Sequence, residues 1–298
     1  MTGFVIDRGT LFVYIIDMKR ILIFFLIALL LLSAFACRRA QSAEPGLEAF
    51  VFSARKSDSS DAILLRGEGF AVLIDTGLKG NAEDLSVRLT ELGVTRIDCI
   101  ILSHFDKDHI GGVEQICADF AVAQTYMPAY EPDGKLYRNM IDALAAAEIP
   151  VLRVAEATDI EIADLRISFT PSPIDYDGKD DSDNTQSLIC GVTFGESRLL
   201  FMGDANGAWL EQLCFGAYNL SCDFLKLPHH GVWNENLLWL LTVSMPNVVA
   251  VTDSDKDPAD PQTAGLLDTL GMEAYYTKDG ELYFHIGKKG QITYEGKE

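Results

Sequence analysis

The sequence predicts a mixed α/β sandwich built as one domain, and three observations carry that expectation. From about Gly46 onward, short apolar runs alternate with amphipathic stretches. Strand and helix signals recur through both halves of the chain, with no internal repeat, no heptad pattern and no second domain boundary. With 298 residues, 48% of them hydrophobic, the chain keeps about 250 residues once its N-terminal segment is set aside, enough to bury a full core.

The elements follow in order. Leu47 to Phe52, Ala62 to Leu65 and Phe70 to Ile74 read as strands separated by Gly and Ser/Asp turns. Asn81 to Leu92 reads as a helix, because Leu85, Leu89 and Leu92 share one face and Gly93 stops it. Asp98 to Leu102 is a buried strand, and a helix over Asp108 to Phe120 is expected after it. A helix over Leu136 to Ala147 precedes strands near Val151, Ile160 and Leu165 to Thr170. Ser172 to Thr185 is polar and acidic, a loop. Gln186 to Phe194 and Arg198 to Met202 form a hairpin around Gly195-Glu196. The rest reads as helices near Ala208 to Leu213, Glu235 to Leu241 and Gln262 to Leu270. Strands lie between and after them at Phe224 to Leu227, Val248 to Thr252, Tyr275, Leu282 to Ile286 and Ile292.

The N-terminus is a different kind of segment. Lys19-Arg20 precedes the wholly apolar run Ile21 to Leu32, which ends in Ser33-Ala34-Phe35-Ala36 before Cys37. A basic start, a short apolar stretch and an Ala-x-Ala ending make a secretory signal peptide over residues 1–36. Met18 suggests that the first 17 residues are an upstream extension. Residues 37–45 then form a linker, and 46–298 the folded domain. Cys37 resembles the lipidated cysteine of bacterial lipoproteins, so the expected location is outside the cytoplasm, secreted or tethered to a membrane through Cys37.

A formal charge of −20 without a basic patch disfavours a tight, processive DNA binder. The absence of a Cys-x-x-Cys pair argues against a zinc knuckle or a dithiol redox centre. Cys214 and Cys222 are candidates for a disulfide, with the pairing left open.

Four of the five histidines fall in two short clusters, each at the end of an apolar run. The first is Ser103-His104-Phe105-Asp106-Lys107-Asp108-His109-Ile110-Gly111-Gly112, and the second is Pro228-His229-His230-Gly231. Between them, Gly203-Asp204 follows the run Leu199 to Met202. A loop leaving a strand can turn His104, Asp106, Asp108 and His109 toward one point, whereas a regular helix would scatter them. The bland alternative is a polar loop in which Asp108 caps a helix. His and Asp at this density match divalent-metal ligation better. Adjacent histidines on a loop point in different directions, so one of His229 and His230 would bind metal while the other faces substrate.

His104-x-Asp106-x-Asp108-His109 resembles the metal-binding signature of the metallo-β-lactamase superfamily, usually His-x-His-x-Asp-His. Leu73-Ile74-Asp75-Thr76-Gly77 resembles its first motif, Gly203-Asp204 the motif of its bridging aspartate, and Pro228-His229-His230-Gly231 its last histidine motif. The likeness runs from about Gly46 to Lys289. Two departures stand out: Asp106 replaces a histidine, and Asp183 to Leu188 stands where a histidine motif is usual. With Ser60-Asp61-Ala62-Ile63-Leu64, this combination is similar to the hydrolase domain of ComEC-type competence proteins, and more distantly to phosphorylcholine esterases.

The resemblance implies a four-layer αβ/βα sandwich and a hydrolase using two divalent metal ions, Zn or Mn, the harder ion suiting the oxygen-rich set. It implies His104, Asp106 and Asp204 around one ion, and Asp108, His109, His230 and Asp204 around the other, with Asp75 in support. Asp108 and His229 are assigned to catalysis, His229 as phosphate contact or acid. Asn184, Ser187 and Trp233 are candidate substrate contacts, and His285 is structural. The expected substrate is a phosphodiester, in nucleic acid or in a small molecule, without an obligate protein partner. A rival of another class is a surface binding protein that kept the fold and lost catalysis.

Overall fold

The computed structural model describes residues 46–54, 56–178 and 183–296, which form one compact unit. The signal-like segment, Cys37 and the linker lie outside the described residues.

The strands run β1 (Leu47–Val51), β2 (Ile63–Gly67), β3 (Phe70–Ile74), β4 (Arg96–Ile97), β5 (Cys99–Ile101), β6 (Ala121–Val122), β7 (Thr125–Pro128), β8 (Val151–Val154) and β9 (Thr158–Ile162). They continue as β10 (Leu165–Thr170), β11 (Ile189–Phe194), β12 (Ser197–Phe201), β13 (Phe224–Lys226), β14 (Val248–Val251), β15 (Glu273–Tyr276), β16 (Leu282–Ile286) and β17 (Ile292–Tyr294). The helices are α1 (Ala82–Glu91), α2 (Lys107–Ile110), α3 (Val113–Asp119), α4 (Lys135–Ala146), α5 (Gly207–Phe215), α6 (Leu237–Ser244) and α7 (Pro261–Thr269).

One sheet has the order β17-β16-β1-β2-β3-β5-β7-β8, the other β15-β14-β13-β12-β11-β10-β9. Side chains alternate across each strand and so feed two layers of core. From β3, Val72 and Ile74 face the opposite sheet while Ala71 and Leu73 face helices. From β12, Leu199 and Phe201 do the former and Leu200 the latter. A central core therefore joins the sheets, an outer one packs α1, α3 and α4 on the first sheet, and another packs α5, α6 and α7 on the second. The result is the expected four-layer sandwich.

Three expectations need correction. The helix expected over Asp108 to Phe120 is split into α2 and α3 at Gly111-Gly112. Thr76 engages the His109 carbonyl there with its N–H and hydroxyl, and Gly112 lets the backbone lie against the Thr76 carbonyl oxygen, which a Cβ would overlap. The short strands β4, β6 and β7 were not expected, being too brief to show a period. Cys214 and Cys222 are both free, buried thiols, with burial pushing them up to about 11 and about 12.

The polarity of the central strands positions the site. β3 and β5 are parallel, and so are β12, β13 and β14. Their C-terminal ends deliver Asp75, the Ser103–His109 loop, Asp204, the His229-His230 turn and Thr252 to one place.

Candidate metal centre

The first loop is shaped by hydrogen bonds to Asp75. That residue leaves β3 with φ 55°, a left-handed conformation that Asp tolerates better than most residues. Its Oδ1 accepts the Ser103 N–H at 2.8 Å, and its Oδ2 accepts the Ser103 hydroxyl at 2.7 Å. The same Oδ2 lies 2.8 Å from His109 Nδ1. That contact keeps a proton on Nδ1 and makes Nε2 the nitrogen that faces inward and is open to a metal. Thr76 secures the far side, its N–H and hydroxyl both donating to the His109 carbonyl at 2.7 and 2.9 Å.

The second loop uses backbone strain. His229 and His230 have φ of 49° and 53°, so the chain turns sharply and the two rings diverge, 6.2 Å apart and 65° out of parallel. His230 is buried, with Nδ1 3.0 Å from the Thr252 hydroxyl and 3.1 Å from its carbonyl oxygen. Its Nε2 lies 3.2 Å from Asp108 Oδ2 and 3.2 Å from Asp204 Oδ2. His109 Nε2 is 3.3 Å from the same Asp204 oxygen. The His229 ring turns instead to a neighbouring cavity that Trp233 also lines.

Asp108, His109, Asp204 and His230 thus each aim one ligand atom into a group whose members lie within 4.8 Å of one another. Asp61, Asp75 and His109 form a second such group behind them. His104 and Asp106 stand beside the first, with Nε2 to Oδ2 at 3.6 Å, outside the 4.8 Å grouping. The donor set fits a divalent cation. The Nε2 of His104 is buried without a hydrogen-bond partner and that of His109 meets the Asp204 oxygen only at 3.3 Å, so both are open to a metal.

The electrostatics agree. Burial opposes charge on His109 and His230, yet the neighbouring carboxylates, Asp204 foremost, hold both well above imidazole's ordinary 6.5. Burial would raise Asp108, but His230 and His109 pull it to about 2. Asp204 is held well below the usual carboxylate range, burial being outweighed by His230, His109 and Lys226. His229, by contrast, is lowered by burial. A cation would replace protons as the partner of these acids.

The candidate substrate contacts separate. Trp233 is partly exposed beside His229. Asn184 is buried with an unpartnered Oδ1. Ser187 is fully buried, and its Oγ accepts the Asp204 N–H at 3.1 Å, which makes it a support of the aspartate and not a wall of the cavity. His285 pairs with Glu48 between β16 and β1, away from the centre.

Two further residues are buried at the centre: Asp61, which the sequence offers only as part of the Ser60–Leu64 motif and without a role, and Lys226, which it does not single out. They form a short ion pair, and Lys226 also reaches Asp204 Oδ1 at 3.5 Å. Burial works against the Lys226 charge, but Asp61 and Asp204 outweigh it and raise its pKa. The available signal was a lone lysine inside the apolar run Phe224 to Leu227.

The family profile of the metallo-beta-lactamase superfamily matches residues 56–250. This chain belongs to the metallo-beta-lactamase superfamily. Among superfamily relatives, Competence protein ComA of Neisseria gonorrhoeae is 30% identical over 207 residues, covering 68% of this chain and 27% of that protein. ComE operon protein 3 of Bacillus subtilis (strain 168) is 25% identical over 144 residues, 48% of this chain and 18% of that protein. The chain therefore spans well under half the length of these relatives. Among solved structures, Tm1679, a metal-dependent hydrolase of the beta-lactamase superfamily, superposes with a TM-score of 0.54 at 13% identity, covering 79% of this chain and 98% of Tm1679, a likeness of fold. Its convergent donors give this superfamily member a candidate site for a divalent metal ion.

Proposed function

We propose that the protein is a phosphodiesterase that works outside the cytoplasm. The observation that carries this reading is the oxygen-rich donor set, with Asp106 and Asp108 beside His104, His109, Asp204 and His230. Two divalent cations, when bound, would supply Lewis acidity and an activated water for displacement at phosphorus. Asp108, His109, His230 and Asp204 would hold one, and His104 and Asp106 with Asp204 the other. Asp75 and Thr252 keep the imidazoles oriented. His229, lowered by burial, is neutral near pH 7 and can donate a hydrogen bond to a phosphoryl oxygen. That supports the role of phosphate contact over that of general acid. The likeness to a protein named for competence, ComA, supports a nucleic-acid substrate.

A small phosphodiester is the second reading, and one observation favours it. The cavity beside His229, about 580 Å³, is lined by Trp233, Asn206, Asn234, Asp175 and Asp177, with no Lys or Arg in its wall among the described residues. A polyanion usually meets basic side chains along its backbone. Action outside the cytoplasm rests on the Lys19-to-Cys37 segment. Intact-mass analysis of membrane and medium fractions tests it, and a full N-terminus on cytosolic protein would refute it.

The function is tested by a Mn²⁺ and Zn²⁺ series on a chromogenic phosphodiester, labelled DNA and a chromogenic cephalosporin in parallel. Turnover of a phosphodiester that vanishes on His109→Ala with the fold intact is expected. Cephalosporin turnover with both phosphodiesters untouched would overturn the reading. A folded wild type inactive on every ester would favour a binding protein.

A further inference from the structure

Lys226 is a fully buried charge that the hydrolytic reading leaves without a task. It ends β13 and meets three acceptors: the Asp61 carboxylate, the Gly203 carbonyl oxygen at 3.0 Å and Asp204 Oδ1 at 3.5 Å. An ammonium has three N–H donors, so these contacts use it completely. The consequence falls on Asp204. Its Oδ1 is turned to the ammonium and its N–H to Ser187, so only Oδ2 faces His109 and His230.

We propose that Lys226, clamped by Asp61, is a positioning residue that makes Asp204 a one-oxygen metal ligand. This rests on the metal-hydrolase reading above. A lysine that merely balanced charge would serve anywhere near the acids. Here Asp61 and the Gly203 carbonyl fix it at Oδ1, the carboxylate oxygen turned away from the histidines. Gly203 has little room to shift, since a Cβ there would come within 2.8 Å of Ser103 Cβ. Holding one aspartate oxygen off the cation keeps the coordination number low and leaves a position for water or a phosphoryl oxygen.

The test uses the double variant Asp61→Asn/Lys226→Met, which removes one charge of each sign and leaves the net charge unchanged. One equivalent of Co²⁺ is added to metal-free wild type and variant, and the visible spectrum and affinity are read, because cobalt band intensity follows coordination geometry. Wild type should show the intense bands of low coordination. In the folded variant, the freed Asp204 oxygen should weaken the bands and move them to shorter wavelength. Loss of cobalt binding by folded Lys226→Met also supports the proposal, since that variant keeps Asp61 with its contacts to His109 and His230 and makes the site more negative. Unchanged spectrum and affinity would overturn it. Lys226→Met alone should move the spectrum the same way. If neither variant folds, wild type decides: weak, six-coordinate bands there overturn the proposal. Wild type that binds no cobalt sinks the metal reading itself, a separate and recognisable failure.

Discussion

Replacing Asp75 with Asn should cost the protein most of its metal affinity while leaving the fold in place. Asn matches Asp in shape and is comfortable at the φ of 55° found there. Asp75 Oδ1 accepts the Ser103 backbone N–H at 2.8 Å, so the Asn amide oxygen must take that position. Its NH₂ group then faces Ser103 Oγ and His109 Nδ1, which Oδ2 met at 2.7 and 2.8 Å. The hydroxyl can rotate and accept, but the imidazole cannot keep its proton on Nδ1 against another donor. It adopts the other tautomer and carries its proton on Nε2, where the cation must bind. Forcing it back leaves a buried donor unsatisfied, a cost of about 1–3 kcal/mol. The expected loss of affinity is therefore about 10–100-fold, or about 1.4–2.7 kcal/mol. Competition titration of Zn²⁺ or Mn²⁺ against a chromophoric chelator measures it, with thermal unfolding of the metal-free protein as the control for fold. A folded variant whose Kd stays within about threefold of wild type would refute the tautomer argument.

Further outcomes follow from the same geometry. His230→Ala removes one of four convergent donors and should lower phosphodiester turnover by at least about 100-fold, with metal content by elemental analysis falling alongside. His109 and His230 are raised above 6.5, so their charged forms stabilise the metal-free protein fully below that pH, and the contribution is lost as pH climbs through their folded values. The Tm of metal-free protein should fall over that window while the Tm gain on adding Zn²⁺ grows; a metal-free Tm that rises there contradicts the assignment. Trp209 is fully buried and donates Nε1–H to the Ser187 carbonyl at 2.8 Å, so Trp209→Ala should cost about 3–5 kcal/mol in denaturant unfolding. Gly112→Ala should cost about 1–3 kcal/mol by driving a methyl into the Thr76 carbonyl, and an unchanged midpoint would show that the α2–α3 junction can relax.

The strands β1, β3, β5, β12, β13 and β14 were legible because each is an apolar run closed by a turn or a charged residue, a pattern that needs no neighbour to interpret. The ligand loops were legible for the same reason, since His104 to His109 and His229-His230 are dense in metal-binding side chains over a few positions. The break between α2 and α3 was not, because the Gly111-Gly112 pair reads equally well as a tight first turn. It shows only in the tertiary structure, where Thr76, placed at the end of β3, engages the His109 carbonyl with its N–H and its hydroxyl. Ser187 was read as a substrate contact from its place in the loop. It is fully buried, and its oxygen accepts the Asp204 N–H, a partner that the turn after β12 supplies.

The sequence by itself determined the alternation that builds two sheets, the order of the motifs and the residue types available to a cation, since these depend on spacing within single segments. The tertiary structure decided which of those residues meet. It gathered Asp108, His109, Asp204 and His230 within 4.8 Å, left His104 and Asp106 at the side, and turned His229 away through positive φ angles. It also paired Asp61 with Lys226, one ahead of β2 and the other ending β13 in the opposite sheet. A buried charge is tolerated only beside its counterion, and no local pattern in either segment names the other. That partner is fixed by where strand ends from two sheets converge.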